Sequence, residues 1–203
     1  MVKSVGVIGA GAVGQAIGRR CVATGIPVRL SNSRGPDSLS DVIEELGHGA
    51  EAATVQQAAD ADLVVLAVPF VKVPDVVGEI ADWTGRVVVD ATNQFAQSEP
   101  TYAGRVDLGD ETGSEWVARH LPGATVIKAF NAMFASYIAP DPRHHDGRQV
   151  LFYAGDDAEV NAEFEEFADT LGFAPVYVGD LRDGGRLMQL DGPLSALHVI
   201  KQD

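Results

Sequence analysis

The sequence predicts an α/β protein built on a doubly wound, mostly parallel sheet with helices on both faces and a short C-terminal α/β extension. Three observations predict it. Short runs rich in Val, Ile and Leu alternate along the chain with amphipathic stretches of helical period. Most of those runs lack polar alternation, as expected for strands covered on both faces by helices. The first run opens directly into a glycine-patterned turn and a helix, Gly9, Gly11 and Gly14 in G-x-G-x-x-G spacing, the opening of a Rossmann-type unit. At 203 residues the chain can bury one sizeable core, so a single domain over 1–203 is expected. Its dinucleotide-binding core spans 1–95, and the second half, 96–203, carries substrate-side loops and the extension.

In chain order, residues 4–8 read as the first strand and 12–24 as the helix behind the glycines. A strand at 28–30, a helix at 39–46, a weaker strand at 50–53 and a helix at 55–61 complete the first half-unit. The second begins with a strand at 63–68, then a helix at 71–83, a strand at 87–89, a helix at 114–121 and a strand at 125–127. Strands at 150–153 and 175–178 flank a helix at 158–171, and 181–200 reads as a final helical stretch. Two segments rich in Pro, Gly and polar residues, 91–113 and 139–149, read as loops bordering the crevice.

Composition excludes several functions. With 46% hydrophobic and 22% charged residues the chain is an ordinary globular mixture, not a disordered one. A formal net charge of −14, with no local Lys/Arg run, opposes nucleic acid and anionic membrane surfaces. No apolar run approaches the ~20 residues of a membrane helix, and the apolar start carries patterned glycines that mark mature structure. A cytoplasmic protein is expected. Cys21 is the single cysteine, so an internal disulfide and a thiolate zinc cluster are both impossible. It sits in a helix as a small buried hydrophobe. His144, His145 and Asp146 lie in turn chemistry and read as a solvated loop, so no metal is expected. Asp156 and Asp157 read as caps of the helix that follows.

The glycine loop is the strongest chemical signal. Its first glycine permits the tight turn, the second lets a pyrophosphate approach the backbone, and the third lets helix and strand pack closely. Gly9, Ala10, Gly11, Ala12 and Val13 then present backbone N–H groups and the positive end of the helix dipole to the phosphates. An NAD reader places an acid beyond the second strand for the ribose 2′-hydroxyl; here Asn32, Ser33 and Arg34 stand instead. An amide, a hydroxyl and a guanidinium supply donors and a positive charge, which suits the 2′-phosphate of NADP. The same residues also suit a plain turn. Ligands of open α/β sheets bind outside the carboxyl ends of the strands. Val68, Pro69 and Phe70 there would wall the cofactor, and Asn93 would bond the ribose or carboxamide on the nicotinamide side. Lys128, Phe130, Asn131 and Met133 are the substrate-side candidates. Lys128 either orients an anionic group or a carboxamide or is a solvated strand end, while Phe130 and Met133 either line the ring pocket or pack the core. No catalytic acid or base is assigned.

The chain resembles the coenzyme F420-dependent NADP oxidoreductase family over nearly its whole length. The resemblance rests on "GVIGAGAVGQAIG", "SNSRGP", "AVPF", "VVVDATN", "VIKAFNAM" and "YAGDDAE…LGFAPVYVGDLRDGGRLMQL". The segment "KAFNAM" is similar to the branch of predicted dinucleotide-binding proteins. The resemblance implies hydride transfer between NADP(H) and a small-molecule redox acceptor, the deazaflavin coenzyme F420. Arg105, Arg143, Arg148, Arg182 and Arg186 would meet that acceptor's anionic groups. Two other readings stand beside it: reduction of a small imine or carbonyl, with Lys128 as proton donor, and a non-catalytic NADP-sensing module. The apolar segment 187–200 exceeds what one small sheet needs for cover, so a homodimer is expected.

Overall fold

The computed structural model describes residues 1–97 and 103–202. The first half-unit comprises β1 (Val5–Ile8), α1 (Ala12–Ala23), β2 (Val28–Ser31), α2 (Ser40–Leu46), β3 (Ala50–Ala52) and α3 (Val55–Ala59). The second comprises β4 (Leu63–Leu66), α4 (Val73–Val77), β5 (Val87–Asp90), α5 (Gly113–Arg119) and β6 (Thr125–Ala129). β3, β2, β1, β4, β5 and β6 lie side by side in that order, all parallel. The order reverses beside β1, which creates the crevice expected of a doubly wound sheet. Local sequence chemistry starts the shorter helices. Thr54 with Gln57, and Thr112 with Glu115, form reciprocal capping boxes at α3 and α5.

The strands alternate their side chains between two cores. Val5, Val7, Leu63, Val65, Val89 and Ile127 join Ile17 of α1 on one face. Ile8, Val64, Leu66, Val88 and Val126 meet α3, α4 and Val117 of α5 on the other. Cys21 is fully buried in the first core, and burial pushes its thiol up to about 12.

The extension contains α6 (Ala135–Ile138), β7 (Arg143–His144), β8 (Gly147–Gly155), α7 (Ala158–Thr170), β9 (Ala174–Tyr177), α8 (Asp183–Met188) and β10 (Ile200–Lys201). β8 runs antiparallel to β6 and carries β9 in parallel. The β6–β8 ladder ends at Ala129↔Tyr153, so the first residues of β8 run past the carboxyl end of β6. They pair there with β7 and β10.

Several elements differ from the sequence reading, each for a local reason. Segment 139–149 is not all loop: Arg143 and His144 pair with Arg148 and Gly147 as a hairpin. The expected helix at 71–83 shrinks to a 3-10 turn at Phe70–Lys72 and the short α4, with Pro74 in its first turn. Beyond Gly78 the chain folds back, and the Trp83 indole N–H donates to Val77 O at 3.0 Å, satisfying a helix-end carbonyl. The final helix is confined to Asp183–Met188, because Pro193 lacks an N–H and Gly192 turns back onto Gln189 O at 2.8 Å. Asp157 caps α7 through Glu159 N and Val160 N, whereas Asp156 accepts from Leu181 N at 2.8 Å and ties down the loop before α8. Residues 98–102 of the long segment 91–113 lie outside the described residues.

Phe164 of α7 is 1% exposed and packs against Phe130 (ring centroids 6.3 Å), Tyr153 (5.2 Å) and Phe167 (6.0 Å). Phe164→Ala leaves a cavity at the joint between the parallel sheet and the extension. We expect a loss of ~3–5 kcal/mol, measured as a lower urea midpoint; an unchanged midpoint would show that the extension does not fold with the core.

Candidate dinucleotide site and crevice

The glycine loop has the geometry its sequence requires. Gly9 adopts φ +115°, a region side chains avoid, and donates its N–H to Ser31 O at 3.0 Å across to β2. A Cβ on Gly14 would collide with the Gly9 carbonyl, so α1 approaches β1 only because that position is bare. Gln15 Nε2 braces the loop by donating to Ala10 O at 2.8 Å. α1 starts at Gly11 without a side-chain cap, leaving the first-turn N–H groups at Ala12 and Val13 for an anion.

At the end of β2 the candidates divide. The Asn32 amide is spent on the turn: its Oδ1 accepts from Arg34 N at 2.9 Å and its Nδ2 donates to Ser38 Oγ at 2.9 Å. The turn reading therefore holds for Asn32 itself. Ser33 and Arg34 are exposed, and the Arg34 guanidinium has no hydrogen bond or ion pair among the described residues. No carboxylate occupies 31–35.

Val68 and Pro69 are half-buried at the end of β4, and Val68 Cγ1 stands 3.1 Å from where a Gly9 Cβ would be, so this wall abuts the glycine loop. Phe70 is 3% exposed, with its ring 4.5 Å from Trp116 of α5. Next to it, at the ends of β5 and β6, lies a narrow cleft lined by Phe70, Thr92, Asn93, Ser114, Lys128 and Gln189.

Lys128 is neither a solvated strand end nor a free ammonium. It is 3% exposed and lies directly opposite Asp90 in the β5–β6 ladder. Its Nζ donates to Asp90 Oδ2 at 2.9 Å and to Thr92 O. The other carboxylate oxygen accepts from Thr92 N at 2.9 Å and Thr92 Oγ1 at 2.7 Å. Burial pushes the ammonium below the ordinary lysine range, and the Asp90 charge opposes that. Two of its three donors hold the β5 exit loop, which argues against a proton-donor role.

Phe130 and Met133 are core residues. Phe130 is fully buried with its ring edge-on to Phe164 and Phe173, and Met133 joins the same cluster. Between them Asn131 bonds Asn93 and α8. The Asn93 Nδ2 donates to Asn131 O at 2.8 Å, and the Asn131 Nδ2 donates to Asn93 Oδ1 at 3.1 Å and Met188 O at 2.7 Å. The arginines offered to an anionic ligand are already engaged. Arg143 pairs with Asp141, Arg148 with Asp169, and Arg182 with Glu115. Arg186 donates to Asp110 O, and Arg105 bonds the Gln94 side-chain oxygen at 2.7 and 3.0 Å once that amide is oriented to satisfy both partners. His145 pairs with Asp146 at 2.6 Å, and no cluster of three or more His, Cys, Asp or Glu is placed to hold a metal among the described residues.

Sequence reasoning missed Asp90, Thr92, Ser114 and Gln189. Asp90 was visible as a charge closing an all-valine strand. Nothing local marks Ser114 or Gln189, since packing of the extension brings α8 to the cleft.

A family model for coenzyme F420-dependent NADP oxidoreductases matches residues 4–94, the stretch holding the glycine loop, the Arg34 turn, the Val68–Phe70 wall and Asn93. Over that stretch the chain is similar to this family. A hypothetical protein of Sinorhizobium meliloti is 40% identical, with a TM-score of 0.91 over 100% of this chain and 97% of its own. A candidate F420-dependent NADP reductase of Arthrobacter sp. FB24 shares the fold at 24% identity, with a TM-score of 0.74 over 89% of this chain and 86% of its own. The metalloreductase STEAP3 of Rattus norvegicus is 28% identical over 178 residues, a match that covers 87% of this chain and 34% of that relative's length. No helix among the described residues is long and apolar enough to cross a membrane.

Removing the Lys128 charge strands Asp90 in a buried site. We expect Lys128→Met to cost ~3–5 kcal/mol in a urea titration, and Asp90→Asn added to it to restore much of that loss. A single variant as stable as the parent would show that the pair is not a structural tie.

Proposed function

We propose that this protein is an NADP(H)-dependent oxidoreductase that transfers hydride between NADP(H) and a small-molecule acceptor, with the deazaflavin coenzyme F420 as the acceptor its family suggests. The observation that carries the cofactor choice is the end of β2, where an exposed guanidinium at Arg34, without a hydrogen bond or ion pair among the described residues, stands with Ser33 and no carboxylate. A 2′-phosphate there finds donors and a positive charge, whereas a carboxylate would repel it. The glycine loop and the N-terminus of α1 hold the pyrophosphate, which sends the nicotinamide toward Asn93 and the cleft.

Direct hydride transfer is chiefly a positioning task, since the cofactor and acceptor carry the chemistry. The chain's part is to hold the nicotinamide along the Val68–Phe70 wall and exclude water. It needs no dedicated acid, which agrees with a Lys128 tied to Asp90. Because the arginines of the second half are paired, an anionic acceptor would have to draw one of them away from its partner. Exposed Leu187, Leu197, Val199 and Ile200 support a homodimer, with the extension facing a second copy; light scattering showing a monomer at working concentration would reject that.

Charge-assisted hydrogen bonds contribute ~1.5–3 kcal/mol, so Arg34→Ala should weaken NADPH binding roughly ten- to hundredfold and leave NADH nearly unchanged in calorimetry. Equal losses for both nucleotides would remove the role. NADPH absorbance followed with deazaflavin, flavin, imine and ketone acceptors should show turnover with the deazaflavin. Tight binding without turnover on any of them would favour a sensing module.

A further inference from the structure

The exposed turn that carries Arg34 is held in place by side chains. Its two ends are anchored in the core: Ser31 closes β2 fully buried, with its Oγ donating to Val7 O at 3.3 Å, and Leu39 is buried on the far side. Between these anchors Asn32 Oδ1 accepts from Arg34 N at 2.9 Å, and Asn32 Nδ2 donates to Ser38 Oγ at 2.9 Å. The Ser38 hydroxyl in turn donates to Gly35 O at 2.7 Å, and Ser38 N donates to the same oxygen at 3.2 Å.

These bonds close a ring. Asn32 reaches forward to Arg34 and Ser38, and Ser38 reaches back to Asn32 and Gly35, so the backbone of Ser33 and Arg34 is fixed from both sides. Gly35 supports the ring with φ +86°, a conformation that a side chain would strain. Pro36 follows at the start of a 3-10 turn, its φ set by its own ring. The side chains of Ser33 and Arg34 are left exposed. Neither Asn32 nor Ser38 brings a charge to the site, and the bonds they make run to the turn itself.

We propose that Ser38 and Asn32 are positioning residues that set the preference for NADP(H) over NAD(H): their clasp fixes the turn so that Ser33 and Arg34 stand ready for a 2′-phosphate. A mobile turn would lose conformational freedom on closing around that group, and a turn already fixed has less to lose. NAD(H) carries no phosphate at this place and gains nothing from the clasp. Selectivity thus depends on Ser38, an uncharged residue four positions beyond the guanidinium. This rests on the NADP(H) reading above.

Calorimetry with NADPH and NADH tests the clasp, together with the exchange rate of the Arg34 amide in the nucleotide-free chain. Ser38→Ala and Asn32→Ala should each weaken NADPH roughly three- to tenfold, the worth of a hydrogen bond of this kind. Each should leave NADH within about twofold and speed exchange of the Arg34 amide. Because both residues act through one clasp, the double variant should bind NADPH no more weakly than Asn32→Ala alone. Ser38→Thr keeps the hydroxyl and should match the parent; Asn32→Ser is the replacement if the alanine variant fails to fold. Losses that add in the double variant would mean two independent contacts, equal losses for NADH would mean general damage to the crevice, and full NADPH affinity in Ser38→Ala would mean that the turn needs no clasp. Each of these overturns the proposal while leaving NADP binding intact. A wild-type chain that binds neither nucleotide overturns both readings together.

Discussion

The buried ion pair between Lys128 and Asp90 is the constraint on which the crevice depends. The two residues are cross-strand partners at the carboxyl ends of β5 and β6, almost wholly removed from water. Each charge makes the other tolerable there, and Thr92 satisfies the remaining carboxylate oxygen. The consequence is positional. Asn93 lies three residues beyond Asp90 and Asn131 three residues beyond Lys128, so one neutralised pair fixes the starting points of both amide-bearing loops.

Charge is distributed along the crevice according to the ends of a dinucleotide. Under the proposed function the adenosine end would meet an exposed guanidinium, the middle would meet bare helix N–H groups, and the nicotinamide end would face neutral amides and hydroxyls above a compensated ion pair. Within a chain of net charge −14 this local pattern matters more than the total, because short-range hydrogen bonds to a bound phosphate outweigh charges screened over about 10 Å. The extension contributes through packing: α8 presents Met188 O to Asn131 and Gln189 to the cleft, while Arg143, Arg148 and Arg182 pair with acids and Arg186 donates to Asp110 O.

A strained residue also stands beside the crevice. Gly9 adopts its positive φ without penalty because it has no side chain, but Phe130 adopts one at full burial, held by aromatic neighbours from α7 and the turn before β9. The core of the extension thus acts on the exit from β6, joining the two halves of the domain energetically as well as by chain connection.

The sequence by itself determined the alternation of strands and helices, the glycine loop and the missing acid after β2. These are local: backbone tolerance at Gly9 and Gly14, burial on both faces of Val-rich runs, and the charge at Arg34 are all properties of neighbouring residues. Tertiary structure alone decided that Lys128 is paired, that Phe130 belongs to the core, and that α8 ends at Met188 against Asn131. Each of those depends on a partner distant in sequence, 38 residues away for Lys128 and Asp90 and 57 for Asn131 and Met188. Pattern along the chain reports which groups need burial or a partner, and only the folded packing says which partner they find.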